Sequence, residues 1–83
     1  MYAVEFSINA EKQLYALEEL IQGRILNVLE RIKVRPLHFI RKLAGNEDYY
    51  RLRAGDYRII LSISEKDAKI FVVKLGHRKN IYE

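Results

Sequence analysis

Basic side chains that suit phosphate chemistry are concentrated in the second half of this 83-residue sequence. Arg51, Arg53 and Arg58 flank the dipeptide Gly55-Asp56. A second basic group follows further along the chain: Lys74, Arg78 and Lys79. A guanidinium group presents a planar fork of N–H donors that matches two phosphate oxygens, and it stays protonated. The residue types therefore indicate a site for a phosphodiester.

The dipeptide Gly55-Asp56 determines how these arginines face one another. Glycine in the first position of a two-residue loop is typical of a type II′ hairpin turn, which places Arg53 directly opposite Arg58. Because side chains alternate across a sheet, Arg51 lies on the same face. Like charges directly opposite each other destabilise the pair by roughly a few tenths of a kcal/mol. A bound polyanion would remove that repulsion, so the pattern favours phosphate binding.

The other face of the same strands is apolar and predicts the core. It carries six large residues: Tyr50, Leu52, Tyr57, Ile59, Leu61 and Ile63. For the last strand we expect a three-residue turn, which adds Phe71, Val73 and Leu75 to the apolar face and puts Lys74 beside the arginines. A two-residue turn would bury Lys74, and an unpaired buried ammonium group is costly.

Upstream of these strands the apolar residues recur at helical spacing. Residues 2–6 predict a strand, Ser7 or Asn9 can cap the helix that follows, and a second helix ends at Pro36 because the residue before proline disfavours helical angles. The order β-α-α-β-β-β predicts an α+β fold with a helical hairpin packed on one face of an antiparallel sheet. At this length we expect one domain, residues 1–83.

The composition excludes several classes of function. The sequence has no cysteine, so disulfides and thiolate metal sites are excluded. Its two histidines, His38 and His77, are far apart, and no carboxylates have ligand spacing, so we expect neither a metal nor another cofactor. No segment reaches the ~20 apolar residues of a membrane span and no signal peptide is visible, which predicts a cytoplasmic protein. The net charge of +4 favours an anionic partner such as nucleic acid.

Two segments of the sequence resemble the RelE/ParE toxin superfamily. They are YRLRAGDYR at 50–58 and VKLGHRKNIY at 73–82, and the length and element order match as well. For the RelE branch the resemblance implies a toxin of a type II toxin–antitoxin system. Such a toxin is a ribosome-dependent, metal-independent endoribonuclease that cleaves mRNA in the A site by attack of the RNA 2′-hydroxyl. The implied partners are the ribosome, mRNA and a RelB-like antitoxin.

Carried over residue by residue, the resemblance implies catalytic roles for Arg53, Arg58, Arg78 and Tyr82. Arg53 and Arg58 would hold the non-bridging oxygens of the phosphorane, and Arg78 would lie near the leaving oxygen. Cations placed around a dianionic phosphorane stabilise the transition state more than the ground state. Tyr82 could stack on a base, orient the 2′-hydroxyl or act as the general base, and the sequence leaves these roles open.

Arg51, Lys74 and Lys79 are expected to bind the RNA backbone rather than to perform chemistry. Well-known bacterial members of the family carry lysines where this chain has Arg51 and Arg53. Arginine effectively cannot lose its proton, so a general base is not available at these two positions. Imidazole groups often serve as acids or bases in enzymes, but His77 stands alone in the sequence and we expect a structural role for it.

The helices carry apolar residues beyond their core-facing stripes, namely Tyr15, Leu20 and Leu26. We expect these three residues to form a docking strip for a helix of the antitoxin. The alternative is that they are ordinary, partly exposed apolar residues.

Two other functions share this fold. A ParE-like protein inhibits DNA gyrase without cutting nucleic acid, but that branch generally lacks the full arginine–tyrosine set. A catalytically inactive relative would act as an interaction or repressor subunit with its antitoxin. The presence of Arg58, Arg78 and Tyr82 together favours the nuclease over the gyrase inhibitor.

Overall fold

The computed structural model describes residues 1–45 and 48–81 and consists of one sheet with helices. Its elements, in chain order, are β1 (Ala3–Phe6), α1 (Ile8–Tyr15), α2 (Glu19–Ile32), a 3₁₀ turn (Pro36–His38), β2 (Arg41–Lys42), β3 (Tyr50–Ala54), β4 (Tyr57–Ser64), β5 (Lys69–His77) and α3 (Arg78–Ile81). The strand order is β1-β5-β4-β3-β2. The predicted α+β class is confirmed. Across the described residues, none of the helices is both long enough and apolar enough to cross a lipid bilayer.

The prediction of a wholly antiparallel sheet is wrong at the β1 edge. β1 runs parallel to β5, with Ala3 opposite Lys69 and Phe6 opposite Val72. Only a tight hairpin forces antiparallel pairing, and β1 is separated from β5 by both helices and three strands. The predicted antiparallel pairing of β3 with β4 and of β4 with β5 is confirmed, and β2, a strand that was not predicted, pairs antiparallel with β3.

The predicted β3–β4 hairpin is confirmed, register included. Gly55 has a φ of +61°, as the first position of a type II′ turn requires, and Arg53 lies opposite Arg58. On the apolar side, Leu52 is 2% exposed, and Ile59 and Leu61 are fully buried. These side chains pack against the buried residues of α1 and α2: Ala10, Leu14, Ile25, Leu29 and Ile32. The core therefore lies between the helices and one face of the sheet.

The predicted faces of β5 are partly wrong. Phe71 is 39% exposed and Val73 only half-buried, whereas Ile70 and Val72 are fully buried. The predicted three-residue turn is wrong: the turn has four residues, 65–68, and places Ser64 opposite Lys69, which turns Ile70 and Val72 to the core. A β-bulge opposite the Ile60–Leu61 step then inserts Val73 and shifts the register by one residue. After the bulge, Lys74 regains the side that the sequence predicted for it.

Helix α1 supplies hydrogen-bonding partners for the bulged part of β5, where no strand continues β1. Ser7, one of the two predicted caps, accepts a hydrogen bond from the backbone N–H of Ala10 at 2.9 Å and donates its hydroxyl to the carbonyl of Val73 at 2.7 Å. Gln13 Oε1 accepts the backbone N–H of Leu75 at 2.8 Å. Two polar side chains of α1 therefore hold the irregular strand in place.

We expect a Gln13→Ala variant to unfold at lower urea concentration, with a loss of about 1–2 kcal/mol in the free energy of unfolding. The substitution removes the acceptor of the part-buried Leu75 N–H. A Gln13→Glu variant keeps an acceptor oxygen at nearly the same position and should retain most of the stability. If the wild type and Gln13→Ala had the same midpoint urea concentration and the same m-value, this role of the side chain would be contradicted.

Candidate functional site

The strands place four arginines on the sheet face opposite the helical hairpin. Arg41 of β2 lies opposite Arg51 of β3, and Arg53 of β3 lies opposite Arg58 of β4. Directly opposite residues on a sheet have their Cβ atoms roughly 4.5–5.5 Å apart. The sequence predicted the second like-charge pair but not the first, because β2 is only two residues long and lies in a segment without periodicity.

These four arginines line a cleft of about 240 Å³ together with the side chain of Phe39. None of the described residues that line the cleft is acidic. Like charges without neighbouring carboxylates destabilise the free protein. A bound polyanion would supply the missing charge and gain charge-assisted hydrogen bonds.

Arg58 is the most constrained of the four side chains. It is half-buried, and its Nη1 donates to the carbonyl of Gly55 at 2.8 Å and to the carbonyl of Tyr57 at 3.0 Å. These two contacts hold the guanidinium group against the hairpin turn. Within the described residues its Nε and Nη2 make no hydrogen bond, so two donors are left for a phosphate.

Lys74 lies on the same side of the sheet, opposite Ile60. Ile60 is 1% exposed and Ile81 of α3 is 5% exposed, and both lie outside the main hydrophobic cluster. The Cδ1 atom of Ile81 is 3.8 Å from the position that a Cβ atom of Gly76 would take. The short helix α3 therefore packs on the arginine side of the sheet and forms a small apolar contact there.

Of the C-terminal site residues, Arg78 and Lys79 are not among the residues that line the cleft. The backbone N–H of Arg78 donates to the carbonyl of Asp56 at 2.8 Å, which fixes the start of α3 beside the hairpin turn, but the exposed Arg78 side chain does not line the cleft. Lys79 is exposed, and its N–H donates to Nδ1 of His77 at 3.2 Å. Tyr82 lies outside the described residues.

His77 shares a face with the core side chains and not with the arginines. It lies opposite Tyr57, and the two rings meet edge to face with their centroids 5.4 Å apart. Its Nδ1 is occupied by the N–H of Lys79. These contacts support the structural role that the sequence analysis expected.

The three apolar residues expected to bind an antitoxin are all exposed, and Leu26 also lines a groove. Tyr15 and Leu20 are each 68% exposed, near the connection between α1 and α2. Leu26 is 43% exposed and lines a groove of about 340 Å³ between β1 and α2. The residues of this β1–α2 groove are Val4, Phe6, Leu26, Leu29, Glu30 and Lys33.

Residues 1–45 and 48–81 contain no group of three or more His, Cys, Asp or Glu side chains that could hold a metal ion. Positive charge in the cleft is instead supplied by the arginine side chains themselves.

Comparison with known proteins links this arrangement to one family. A family model described as the ParE toxin of type II toxin–antitoxin systems, parDE, matches residues 4–82. The curated protein Toxin RelE3 of Methanocaldococcus jannaschii is 43% identical over 44 residues, which are 53% of this chain and 48% of that protein. The match thus spans about half the length of that relative.

Solved structures agree in fold over nearly the whole chain. The archaeal RelE–RelB complex from Pyrococcus horikoshii contains a chain that is 32% identical, with a TM-score of 0.79 and coverage of 96% of this chain and 98% of that one. The RelB–RelE complex from Methanococcus jannaschii contains a chain that is 30% identical, with a TM-score of 0.72 and coverage of 93% of this chain and 93% of that one. The RelBE2 complex from Mycobacterium tuberculosis, at 22% identity, has a TM-score of 0.85 with coverage of 93% and 98% and supports the fold. The chain is therefore a RelE-like member of the ParE toxin family of type II toxin–antitoxin systems.

Proposed function

We propose that this toxin is a ribosome-dependent endoribonuclease that inhibits translation in the cytoplasm by cleaving mRNA in the A site. The observation that carries the proposal is the cleft in which two cross-strand arginine pairs, Arg41–Arg51 and Arg53–Arg58, meet with no acidic side chain among the described residues that line it. Such a site costs stability in the free protein and is suited to a phosphodiester.

In the proposed reaction the RNA 2′-hydroxyl attacks the adjacent phosphate, which gives a cyclic phosphate and a free 5′-hydroxyl. The intermediate phosphorane carries two negative charges. Arg53 and Arg58 hold its non-bridging oxygens, and Arg51 binds the neighbouring backbone. Arg58 is oriented in advance by two carbonyl groups, so its electrostatic contribution requires little reorganisation during the reaction. The arginines thereby supply the charge that metal ions supply in other nucleases.

Proton transfer requires a group other than these arginines, which do not deprotonate. We assign Arg78 to the leaving oxygen and Tyr82 to the attacking side of the RNA. A Tyr82→Phe variant keeps the ring and removes the hydroxyl group. Loss of cleavage in this variant would show that the hydroxyl group is necessary. Full cleavage would show that the ring, which can stack on a base, is sufficient. Lys74 and Lys79 are proposed to contact the RNA backbone.

The decisive test is toeprinting of a defined mRNA on programmed ribosomes with the purified toxin. We expect cleavage within the A-site codon, unchanged by chelators of transition metals at the Mg²⁺ concentration that keeps ribosomes intact. The same mRNA without ribosomes should remain uncut. Absence of cleavage by folded wild-type protein would exclude the proposed activity.

Gyrase inhibition is the second candidate, because the matching family model is named for ParE. The purified protein is added to a DNA supercoiling reaction at the concentrations that cleave mRNA. We expect supercoiling to proceed normally. Inhibition of supercoiling together with uncut mRNA would favour the ParE-like function, and inactivity in both assays would favour an interaction or repressor subunit.

We also propose a RelB-like antitoxin as the partner, since the chains from P. horikoshii and M. jannaschii were solved as complexes with RelB. Of the exposed apolar residues, Leu26 has the most suitable surroundings, because it opens into the β1–α2 groove. An amphipathic helix or strand of the antitoxin can bury apolar side chains there. Tyr15 and Leu20 would extend the contact at the α1–α2 connection.

We expect a Leu26→Glu variant to lose its co-expressed antitoxin during gel filtration, because the carboxylate would be desolvated in the groove. Leu37→Glu is the matched control, since Leu37 is 52% exposed and lies outside the groove. A stable complex with Leu26→Glu, or loss of the complex with both variants, would contradict the assignment of the groove.

A further inference from the structure

Phe39 is an exposed aromatic residue in the wall of the arginine cleft. Its side chain is 53% exposed, whereas that of the next residue, Ile40, is 9% exposed and belongs to the core. This alternation turns Phe39 and Arg41 to the cleft side. The backbone N–H of Phe39 donates to the carbonyl of Pro36 at 3.3 Å and closes the 3₁₀ turn. The position of the ring is therefore set by a short, anchored segment.

The ring of Phe39 has an aromatic neighbour in His38. His38 contacts it edge-on, with centroids 5.4 Å apart and an interplanar angle of 65°. Within the described residues no arginine side chain stacks over the ring, although four of them line the same cleft. An exposed aromatic face beside phosphate-binding cations contributes little to the stability of the free protein, but it is the arrangement with which proteins hold single-stranded nucleic acid.

We infer that Phe39 stacks on an unpaired base of the RNA whose phosphate lies between the four arginines. The inference rests on the proposed nuclease function and specifies how that site selects its substrate. The arginines bind the charge of any backbone, whereas a stacking surface requires a base that is free on one face. Phe39 thus restricts the cleft to single-stranded RNA and fixes the base next to the phosphate. Because all bases have a π-face, it acts without sequence preference.

A different use of Phe39 would be as part of an apolar patch for a protein partner. The exposed apolar residues nearest to it in sequence, Val34 and Leu37, line a separate cavity with Tyr2 and Arg35. Leu37 is 52% exposed, nearly the same as Phe39, but it is not a lining residue of the arginine cleft. Leu37 therefore offers a matched control that distinguishes the cleft from the patch.

The test uses a short single-stranded RNA that carries 2-aminopurine at each position in turn and a 2′-deoxy linkage on its 3′ side, so that it binds but is not cut. Stacking on an aromatic ring quenches the fluorescence of 2-aminopurine.

We expect the wild type to quench the 2-aminopurine fluorescence strongly at one position of the RNA. Phe39→Tyr should retain the quenching, and Phe39→Leu should lose it and bind about tenfold more weakly. The salt dependence of binding should be equal in all three, because no phosphate contact is changed. Leu37→Ala should behave as the wild type does.

The inference is overturned if saturating wild-type protein quenches no position, if Phe39→Leu quenches as the wild type does, or if Leu37→Ala loses quenching equally. Cleavage on programmed ribosomes is measured in parallel on the same preparations. Cleavage without quenching would reject the stacking role and leave the nuclease proposal intact. Quenching at one position without cleavage would retain the stacking role and reject the nuclease proposal.

Discussion

An Arg58→Ala variant is expected to cleave mRNA on the ribosome about 100- to 1,000-fold more slowly than the wild type. Arg58 is half-buried and lines the cleft, and its guanidinium group is held by the carbonyls of Gly55 and Tyr57. A donor that is in place before the reaction stabilises the charge that develops on the phosphorane, so its removal should lower kcat more than it raises KM. Single-turnover cleavage of a defined mRNA at saturating toxin measures this effect.

Two further variants separate geometry from net charge. Arg58→Lys keeps the positive charge but lacks the planar fork, and we expect a loss of about tenfold. Arg35→Ala removes an exposed arginine outside the cleft and should change the rate by less than about twofold, the size expected for a screened surface charge. Equal losses in Arg58→Ala and Arg35→Ala would show that the toxin needs only overall positive charge. Thermal unfolding of each variant checks that the fold is retained.

The hairpin that carries Arg53 and Arg58 could be predicted from sequence because its determinants are local. The Gly55-Asp56 turn fixes the register, and the alternation of polar and apolar residues fixes the faces. Both determinants agree, and the structure has Arg53 opposite Arg58 with Gly55 at a positive φ. Three of the four cleft arginines, Arg51, Arg53 and Arg58, and the face they occupy therefore follow from nine consecutive residues, 50–58.

The part of the cleft that is formed by Phe39 and Arg41 could not be predicted from sequence, because tertiary contacts determine its position. Arg41 and Phe39 lie in a segment with no period, and only the pairing of β2 with β3 brings Arg41 opposite Arg51. The backbone hydrogen bond from Leu43 to Tyr49, 2.9 Å long, closes that pairing. The sequence does show a phenylalanine, Phe39, two residues before an arginine, Arg41. That pattern indicates a binding site only once the pairing of β2 with β3 is known.

The bulge in β5 is a second feature that local pattern could not provide. Its carbonyl and N–H groups are bonded by Ser7 and Gln13, which are 66 and 62 residues away from their partners in the chain. A three-residue turn and a regular strand were expected, which placed Phe71 and Val73 in the core. The four-residue turn exchanges the two faces before the bulge and the bulge exchanges them again, so Lys74 lies on its predicted side.

A Leu61→Ala variant is expected to lose about 3–4 kcal/mol of unfolding free energy, the size usual for truncating a fully buried leucine. Leu61 is 0% exposed and lies in the central strand β4 between Tyr50 and Val72, directly beneath the helices. For a chain of 83 residues the total stability is roughly 4–12 kcal/mol, so the loss is a large fraction of it. Calorimetry should show a fall in Tm of roughly 10–25 °C, whereas Leu37→Ala should stay within about 0.5 kcal/mol of the wild type.

The activity of Leu61→Ala tests whether the two faces of the sheet have separate tasks. Leu61 points to the core, and the arginines that we assign to the phosphate point to the opposite face. At a temperature where Leu61→Ala is still folded, cleavage per folded molecule should therefore remain within a few-fold of the wild type. If the free energy of unfolding of Leu61→Ala fell by less than about 1 kcal/mol, the core would have rearranged to fill the space left by the smaller side chain. A stable but inactive Arg58→Ala beside an unstable but active Leu61→Ala would show that the charge on the outer face is kept for the reaction and not for the fold.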